Sequence, residues 1–318
     1  MKIRLVASHE LSRSEIEVWS GIQTANLDLV SPYFCPEFTL LTGQVRPNVY
    51  VGILEDADEL VGFFPFEEVY RGEGWPVGTK LSDYQGLIVN GNARWSAGEI
   101  IAGCQLKSWN FGQLLASQTQ FRQYCSKTVP SHVCDLKDGF EAYTRKLKVK
   151  GSNVYSNALV KERRITRDVG PLRYEYHVTE ISHLNSLVEC KSQQYKQTGI
   201  KDVFARIWPR ELLHLIHSTQ NEAFAGVLSV LYAGDEAVAW HMGMRSRWVL
   251  HWWFPCYCTK FAEYSPGLIL FFRLAETAAR MGLKAIDLGE GDESYKLRLA
   301  TSQVLVAQGV VHPEDHVG

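Results

Sequence analysis

The segment from residue 264 to residue 296 constrains the fold more than any other part of the chain. Its apolar residues recur at helical spacing after Pro266 and stop before Gly282, and a short strand pattern follows at 285–289. Ser265 is a typical N-cap, proline suits the first helical position, and glycine suits the residue after a helix. The segment therefore predicts a helix that begins after one strand and leads into another. A helix N-terminus in that position has free N–H groups that bind phosphate.

Two predicted hairpins, one in each half of the chain, follow the same plan. In the first, residues 49–54 and 60–66 flank an acidic turn, and in the second, residues 227–232 and 237–244 flank Gly-Asp-Glu. Repeated strands with helices between them are typical of layered α/β or α+β folds. We therefore expect two halves of similar design, each built on a sheet.

A basic stretch between the two halves marks the predicted domain boundary. Residues 137–168 show a helical pattern that is rich in lysine and arginine, and Gly170-Pro171 then interrupts it. A chain of 318 residues suits two domains, which we place at 1–170 and 171–318. The basic stretch is typical of a solvated helix face, and it also suits an anionic partner.

The composition argues against several classes of protein. A net charge of −2 disfavours a mainly electrostatic nucleic-acid surface. Because no apolar run is long enough for a signal-peptide core or a membrane helix, we expect a cytoplasmic protein without an integral membrane segment. The seven cysteines include no CxxC pair, and no metal site is expected. The absence of GxSxG, Walker and HExxH motifs leaves hydrolase, nucleotidase and metalloprotease functions unsupported.

The run YSPGLILFFRLAETAARMGLKAIDLGEGDESYKLRL resembles the signature of the CelD/BcsL-type acetyltransferases, which are Fem-like and built from GNAT (GCN5-related N-acetyltransferase) modules. The blocks LSDYQG at 81–86 and LSVLYAGD with AVAWH at 228–241 agree with it, in the same order along the chain. The resemblance implies two tandem GNAT-like domains, each a mixed central sheet flanked by helices. The first would lie on the acceptor side, and the second would hold acyl-CoA.

Acyl transfer from coenzyme A requires a site for the pyrophosphate of the donor. We predict that the site consists of the turn and helix start already described, with Lys296 as a further cation: Tyr264, Ser265, Pro266, Gly267, Leu268 and Lys296. The turn has fewer glycines and basic residues than the usual GNAT phosphate loop, so an acyl carrier protein remains an alternative donor. A well-capped helix without a ligand, and a surface pair of Lys296 with Asp292 or Glu293, are the structural alternatives.

Three residues are candidates for proton transfer. The resemblance implies that Tyr295 protonates the departing thiolate, and His241 on a strand is a candidate base for the acceptor ammonium. Asp83 is a second candidate base, and Asp83, Tyr84 and Gln85 together are candidates for binding the acceptor. Each has a structural alternative: a packed tyrosine, a buried core histidine, and a turn relaxed by Gly86. Asp287, which lies between apolar residues, is expected to organise the following glycine turn.

The resemblance implies N-acylation of a nucleotide-linked amino sugar, such as a dTDP-aminodeoxyhexose, for surface polysaccharide such as lipopolysaccharide O-antigen. Fem-like aminoacyl transfer from tRNA to a cell-wall precursor is one alternative, and acetylation of a finished polysaccharide is another. A third is a non-catalytic GNAT-fold subunit that only binds. Apart from tRNA in the first alternative, no nucleic-acid partner is expected.

Overall fold

The computed structural model describes residues 1–57, 59–91 and 93–313, which form two compact units. Unit 1 comprises Met1–Ser131 together with the chain from Val304, and unit 2 comprises His132–Gln303. The division therefore lies before the predicted boundary at residue 170, because residues 132–170 pack within unit 2. The assignment of an acceptor side and a donor side to the two halves stays a prediction.

The elements are numbered in chain order. The strands are β1 (Lys2–Ala7), β2 (Val49–Asp56), β3 (Glu59–Tyr70), β4 (Glu73–Trp75), β5 (Ile88–Val89), β6 (Ser108–Leu115), β7 (Cys125–Asp135), β8 (Leu172–Glu175), β9 (Phe224–Ala233), β10 (Glu236–Ser246), β11 (Val249–Tyr257), β12 (Ala285–Glu290) and β13 (Ser302–Val311). The helices are α1 (Arg13–Ala25), α2 (Pro36–Val45), α3 (Ala97–Gly103), α4 (Phe140–Val149), α5 (Val154–Asp168), α6 (Ile181–Thr198), α7 (Ile207–Ser218), α8 (Pro266–Arg280) and α9 (Ser294–Leu299).

Unit 1 contains a mixed sheet in the order β1-β2-β3-β4-β6-β13, with β5 on β3. The β2–β3 hairpin confirms the first predicted hairpin, and β4 and β6 are parallel. Alternate side chains of the strands face helices on the core side, where Trp19 of α1 stacks on Phe63 of β3 with ring centroids 5.1 Å apart. Ser12 and Glu15 form a capping box that fixes the start of α1.

In unit 2 the strands pair in the order β12-β11-β10-β9-β8. The antiparallel pair β9–β10 confirms the second predicted hairpin. β11 and β12 run parallel, as a strand, crossover helix and strand require, and α8 is that crossover helix. α8 is largely buried among the apolar residues of this unit, as its helical spacing predicts.

The predicted basic stretch forms two helices, α4 and α5, which are separated at Gly151, where φ is +81°. Both helices pack on α8, for example through Tyr155 and Phe272, whose ring centroids lie 4.9 Å apart. Their charged residues face outward, and several of them make ion pairs. None of the helices in the described ranges is long and apolar enough to cross a membrane.

Candidate functional site

A cavity of about 520 Å³ lies in unit 2, with walls from α5, α6, β11, α8 and α9. Sites for small molecules typically enclose about 300–1,000 Å³, so the cavity is large enough for a substrate or for part of a cofactor. One wall is apolar, because Trp252 of β11 meets Phe271 of α8 edge to face, with centroids 5.2 Å apart. Leu268 and Leu299 extend that wall.

The cavity forms where the pairing of β11 changes. β11 pairs with β12 at three positions, the last of which joins His251 and Asp287. The ladder ends there, but β11 continues to Tyr257. Residues 252 and 255–257 of this further stretch line the cavity. The site therefore lies beyond the carboxyl end of the β11–β12 ladder, which is where ligands bind in open sheets with parallel strands.

The N-terminus of α8 faces the cavity through Ser265, Gly267 and Leu268. Ser265 has φ +48° and ψ +53°, and its side chain makes no capping hydrogen bond, so the predicted Ser265 cap is wrong. The cap fails because the left-handed backbone turns the residue away from the usual extended N-cap geometry. Its carbonyl oxygen instead accepts from the N–H of Leu268 at 2.9 Å. A Cβ atom at Gly267 would lie 3.5 Å from the ring of Tyr257.

Three of the predicted donor residues, Tyr264, Pro266 and Lys296, are buried and do not line the cavity. The hydroxyl of Tyr264 donates to the Asp168 carboxylate at 3.3 Å. The Lys296 ammonium donates to the carbonyl oxygen of Glu290 at 2.6 Å and lies 3.1 Å from the Glu293 carboxylate. Lys296 thus holds the turn between β12 and α9, as in the structural alternative of a pair with Glu293.

Tyr295 lies on α9 and lines the cavity, together with Arg298 of the same helix. The Tyr295 side chain is half-buried and packs against the apolar core of unit 2. The turn that leads to α9 is fixed by Asp287, whose carboxylate accepts from the N–H of Gly289 at 2.7 Å. This is the organising role expected for Asp287. The fold brings the Tyr295 side chain to the cavity, and its role as the acid stays a prediction.

His241, the candidate base, is fully buried and does not line the cavity. Its ring stacks on Trp252, which does line the cavity. Burial lowers the pKa of His241 to about 3. The imidazole is therefore neutral near pH 7 and has little tendency to take up a proton.

The predicted acceptor residues Asp83, Tyr84 and Gln85 belong to unit 1 and none of them lines the cavity of unit 2. The side-chain oxygen of Gln85 accepts from the backbone N–H groups of Gly112 and Gln113, at 2.9 and 3.0 Å. The side-chain NH₂ group of Gln85 donates to the backbone carbonyl oxygen of Ser82 at 3.2 Å. Tyr84 is buried in the same unit. Gln85 and Tyr84 are thus structural in this conformation, whereas Asp83 is half-exposed, and its contact with an acceptor stays a prediction.

Three polar residues that line the cavity were not predicted from the sequence: Asn157 of α5, Gln194 of α6 and Arg298 of α9. The basic stretch of the sequence contains Lys161, which was not assigned to this site. Lys161 lines the cavity, and its ammonium donates to the carbonyl oxygen of Glu263, just before α8. Only the packing of three helices around β11 brings these residues together, and no local motif in the sequence signals it.

A family model described as an acetyltransferase (GNAT) domain matches residues 154–297, within unit 2. No curated protein matches the chain significantly in sequence. A structure of FemX has 8% identity and a TM-score of 0.61, covering 98% of this chain and 96% of that chain.

Two further solved structures share the fold. The C-terminal domain of a lysylphosphatidylglycerol synthetase candidate from Agrobacterium fabrum has 12% identity and a TM-score of 0.60, covering 94% of this chain and 92% of that chain. A tandem GNAT protein from the clavulanic acid biosynthesis pathway has 8% identity and a TM-score of 0.55, covering 98% and 99%. These likenesses confirm the predicted fold. Residues 154–297 therefore match a GNAT acetyltransferase domain, and the protein is an acyltransferase.

Proposed function

We propose that the cavity of unit 2 binds acyl-CoA and that the protein transfers the acyl group to the primary amine of a nucleotide-linked amino sugar. The observation that carries the proposal is that one cavity, largely within the matched acetyltransferase region, receives both the N-terminus of α8 and Tyr295. The first is suited to a phosphate and the second to proton transfer.

The residues present fit the chemical parts of acyl-CoA. The Gly267 N–H at the start of α8, with the cations of Lys161 and Arg298, suits a phosphate. The apolar wall of Trp252 and Phe271 suits an acyl chain or a pantetheine arm. When bound, acyl-CoA would supply an acyl carbon that is activated as a thioester. An acyl carrier protein would present the same thioester and stays the alternative donor.

In this proposal the Tyr295 hydroxyl gives its proton to the departing thiolate sulfur. His241 is not used as the base, since its ring is buried and its pKa is about 3. The acceptor amine would instead lose its proton to water, and the cavity would act mainly by holding the two reactants together. In this proposal Tyr295 acts in turnover, and the N-terminus of α8 acts in donor binding.

The choice of acceptor rests on the resemblance to the CelD/BcsL-type enzymes. A dTDP-aminodeoxyhexose carries a primary amine that can be acylated, and in this proposal the protein acts on it in the cytoplasm. The acylated sugar would serve surface polysaccharide such as O-antigen. Fem-like aminoacyl transfer is the second candidate, since the FemX structure covers nearly the whole chain with the same fold.

The proposal is tested by measuring the release of free thiol from acetyl-CoA and hydroxybutyryl-CoA. The assay is repeated with each member of a panel of dTDP- and UDP-linked amino sugars. We expect release that depends on one acceptor, together with an N-acylated sugar of the corresponding mass. Coenzyme A binding without release by any amino sugar would contradict the proposed acceptor. Transfer from an aminoacyl-tRNA to a cell-wall precursor in the same assay format would favour the Fem-like function instead.

A further inference from the structure

Two cysteine side chains, from α6 and β11, lie together at the wall of the cavity. Cys256 of β11 is 4% exposed and lines the cavity, and Cys190 of α6 is half-buried. The Cys190 thiol donates to the carbonyl oxygen of Tyr257 at 3.5 Å, next in the chain to Cys256. The Cys256 thiol donates to the carbonyl oxygen of Leu187 at 3.9 Å, one turn before Cys190. These reciprocal contacts bring Cys190 of α6 next to the stretch of β11 that carries Cys256.

The two thiols differ in reactivity. The neighbouring Cys256 thiol and the nearby ammonium of Lys191 lower the pKa of Cys190. Burial instead raises the pKa of Cys256 well above its usual value. Because the thiolate is the reactive form, Cys190 is the thiol that attacks first, and it is also the more exposed of the two.

We propose that Cys190 and Cys256 form a reversible dithiol–disulfide pair that cross-links α6 to β11 at the cavity wall. The oxidant is a low-molecular-weight disulfide. The Cys190 thiolate attacks one of its sulfur atoms, forms a mixed disulfide and releases one thiolate. The Cys256 sulfur, having lost its proton to solvent, then attacks the Cys190 sulfur and releases the second thiolate. The protein loses two electrons, and the small disulfide is reduced to two thiols.

The cross-link would join two elements that line the cavity, α6 and β11. Gln194 lies one helical turn after Cys190 and lines the cavity, as Cys256 does from β11. The bond would therefore fix two walls of the cavity against each other. A ligand in the cavity would in turn shield Cys256 from reaction. This second effect rests on the proposed binding of coenzyme A, whereas formation of the cross-link does not.

Titration of the full chain with oxidised glutathione, followed by mass spectrometry, tests the proposal. We expect a mass loss of two hydrogen atoms and a linked pair of peptides that contain Cys190 and Cys256. Cys190→Ser and Cys256→Ser should each abolish the linked peptides. Cys125→Ser is the matched control, because Cys125 is also half-buried and donates to a carbonyl oxygen, that of Phe121 at 3.3 Å, but lies in unit 1.

A stable glutathione adduct on Cys190 without the linked peptides would overturn the proposal, and so would a cross-link that uses Cys258 in place of Cys256. The reaction is then repeated with saturating coenzyme A, which we expect to slow cross-linking several-fold. An unchanged rate of cross-linking would support the disulfide pair but would count against coenzyme A binding in the cavity. The experiment therefore separates failure of the disulfide proposal from failure of the proposed function.

Discussion

The imidazole of His241 lies parallel to the indole of Trp252, with ring centroids 4.2 Å apart and planes inclined by 9°. One face of the indole thus meets a buried, neutral histidine, and the same side chain lines the cavity. The stack therefore supports the part of the cavity wall that Trp252 forms. His241 is therefore a packing residue that positions Trp252.

The buried histidine makes stability depend on pH in one direction. Burial lowers the pKa of His241 from 6.5 to about 3, so between these values the unfolded chain binds a proton that the folded chain excludes. We therefore expect the free energy of unfolding to fall as the pH drops from 6.5 towards 3. His241 should contribute about 1.4 kcal/mol of this loss per pH unit, and it should not change the stability above pH 6.5. Urea unfolding across the range measures it.

His241→Phe is the matching variant, because phenylalanine retains a ring that can stack on Trp252 but cannot take up a proton. The difference between wild type and variant isolates His241 from the other histidines. Equal slopes of stability against pH for the two proteins would contradict the assignment.

Tyr295→Phe tests the proposed acid. Loss of a general acid typically lowers the rate by about 10²–10⁴-fold, so we expect kcat to fall within that range. The dissociation constant of coenzyme A should stay nearly unchanged, because the ring and its packing remain. Steady-state kinetics and calorimetry measure the two quantities. Tyr257→Phe, at another tyrosine that lines the cavity, is the control, and wild-type turnover in Tyr295→Phe would remove Tyr295 as the acid.

Ser265→Ala tests the unusual start of α8. Loss of a serine N-cap usually costs about 1 kcal/mol, but the Ser265 side chain makes no capping bond. We therefore expect a change in the free energy of unfolding below about 0.5 kcal/mol, measured by urea unfolding. Ser12→Ala provides the comparison, since Ser12 does cap α1, and we expect it to cost about 1 kcal/mol. A larger loss in Ser265→Ala than in Ser12→Ala would show that Ser265 caps α8 after all.

Arg298→Gln tests donor binding. A hydrogen bond to a charged group contributes about 1.5–3 kcal/mol, so we expect the affinity for coenzyme A to fall about tenfold or more if Arg298 meets a phosphate. The loss should shrink at high salt, because screening already weakens the pair in wild type. Calorimetry at two ionic strengths measures both effects. Arg163→Gln, on the exposed face of α5 outside the cavity, should bind as wild type does.

The sequence predicts the two hairpins and α8 well, because each depends on local periodicity. The turn at Asp287 also follows from a local pattern, a carboxylate between apolar residues followed by glycine. The direction of individual side chains was harder to predict. Lys296 lies across its own turn, where its ammonium contacts both the carbonyl oxygen of Glu290 and the carboxylate of Glu293. Arg298 of α9 and Gln194 of α6 are distant in the sequence, and they come to the same cavity only in the folded unit.

The pairing of β13 with β6 has a consequence for biosynthesis. Unit 2 is one continuous segment, so the ribosome delivers all of it before the last strand emerges. Unit 1 needs Val306–Val311 beside β6, as in the pairs of Val306 with Leu115 and Val311 with Trp109. Until then β6 has an open, apolar edge of the kind that recruits other chains. The part of the protein that is translated first is therefore completed last, and a nascent chain halted before residue 304 would be prone to aggregate.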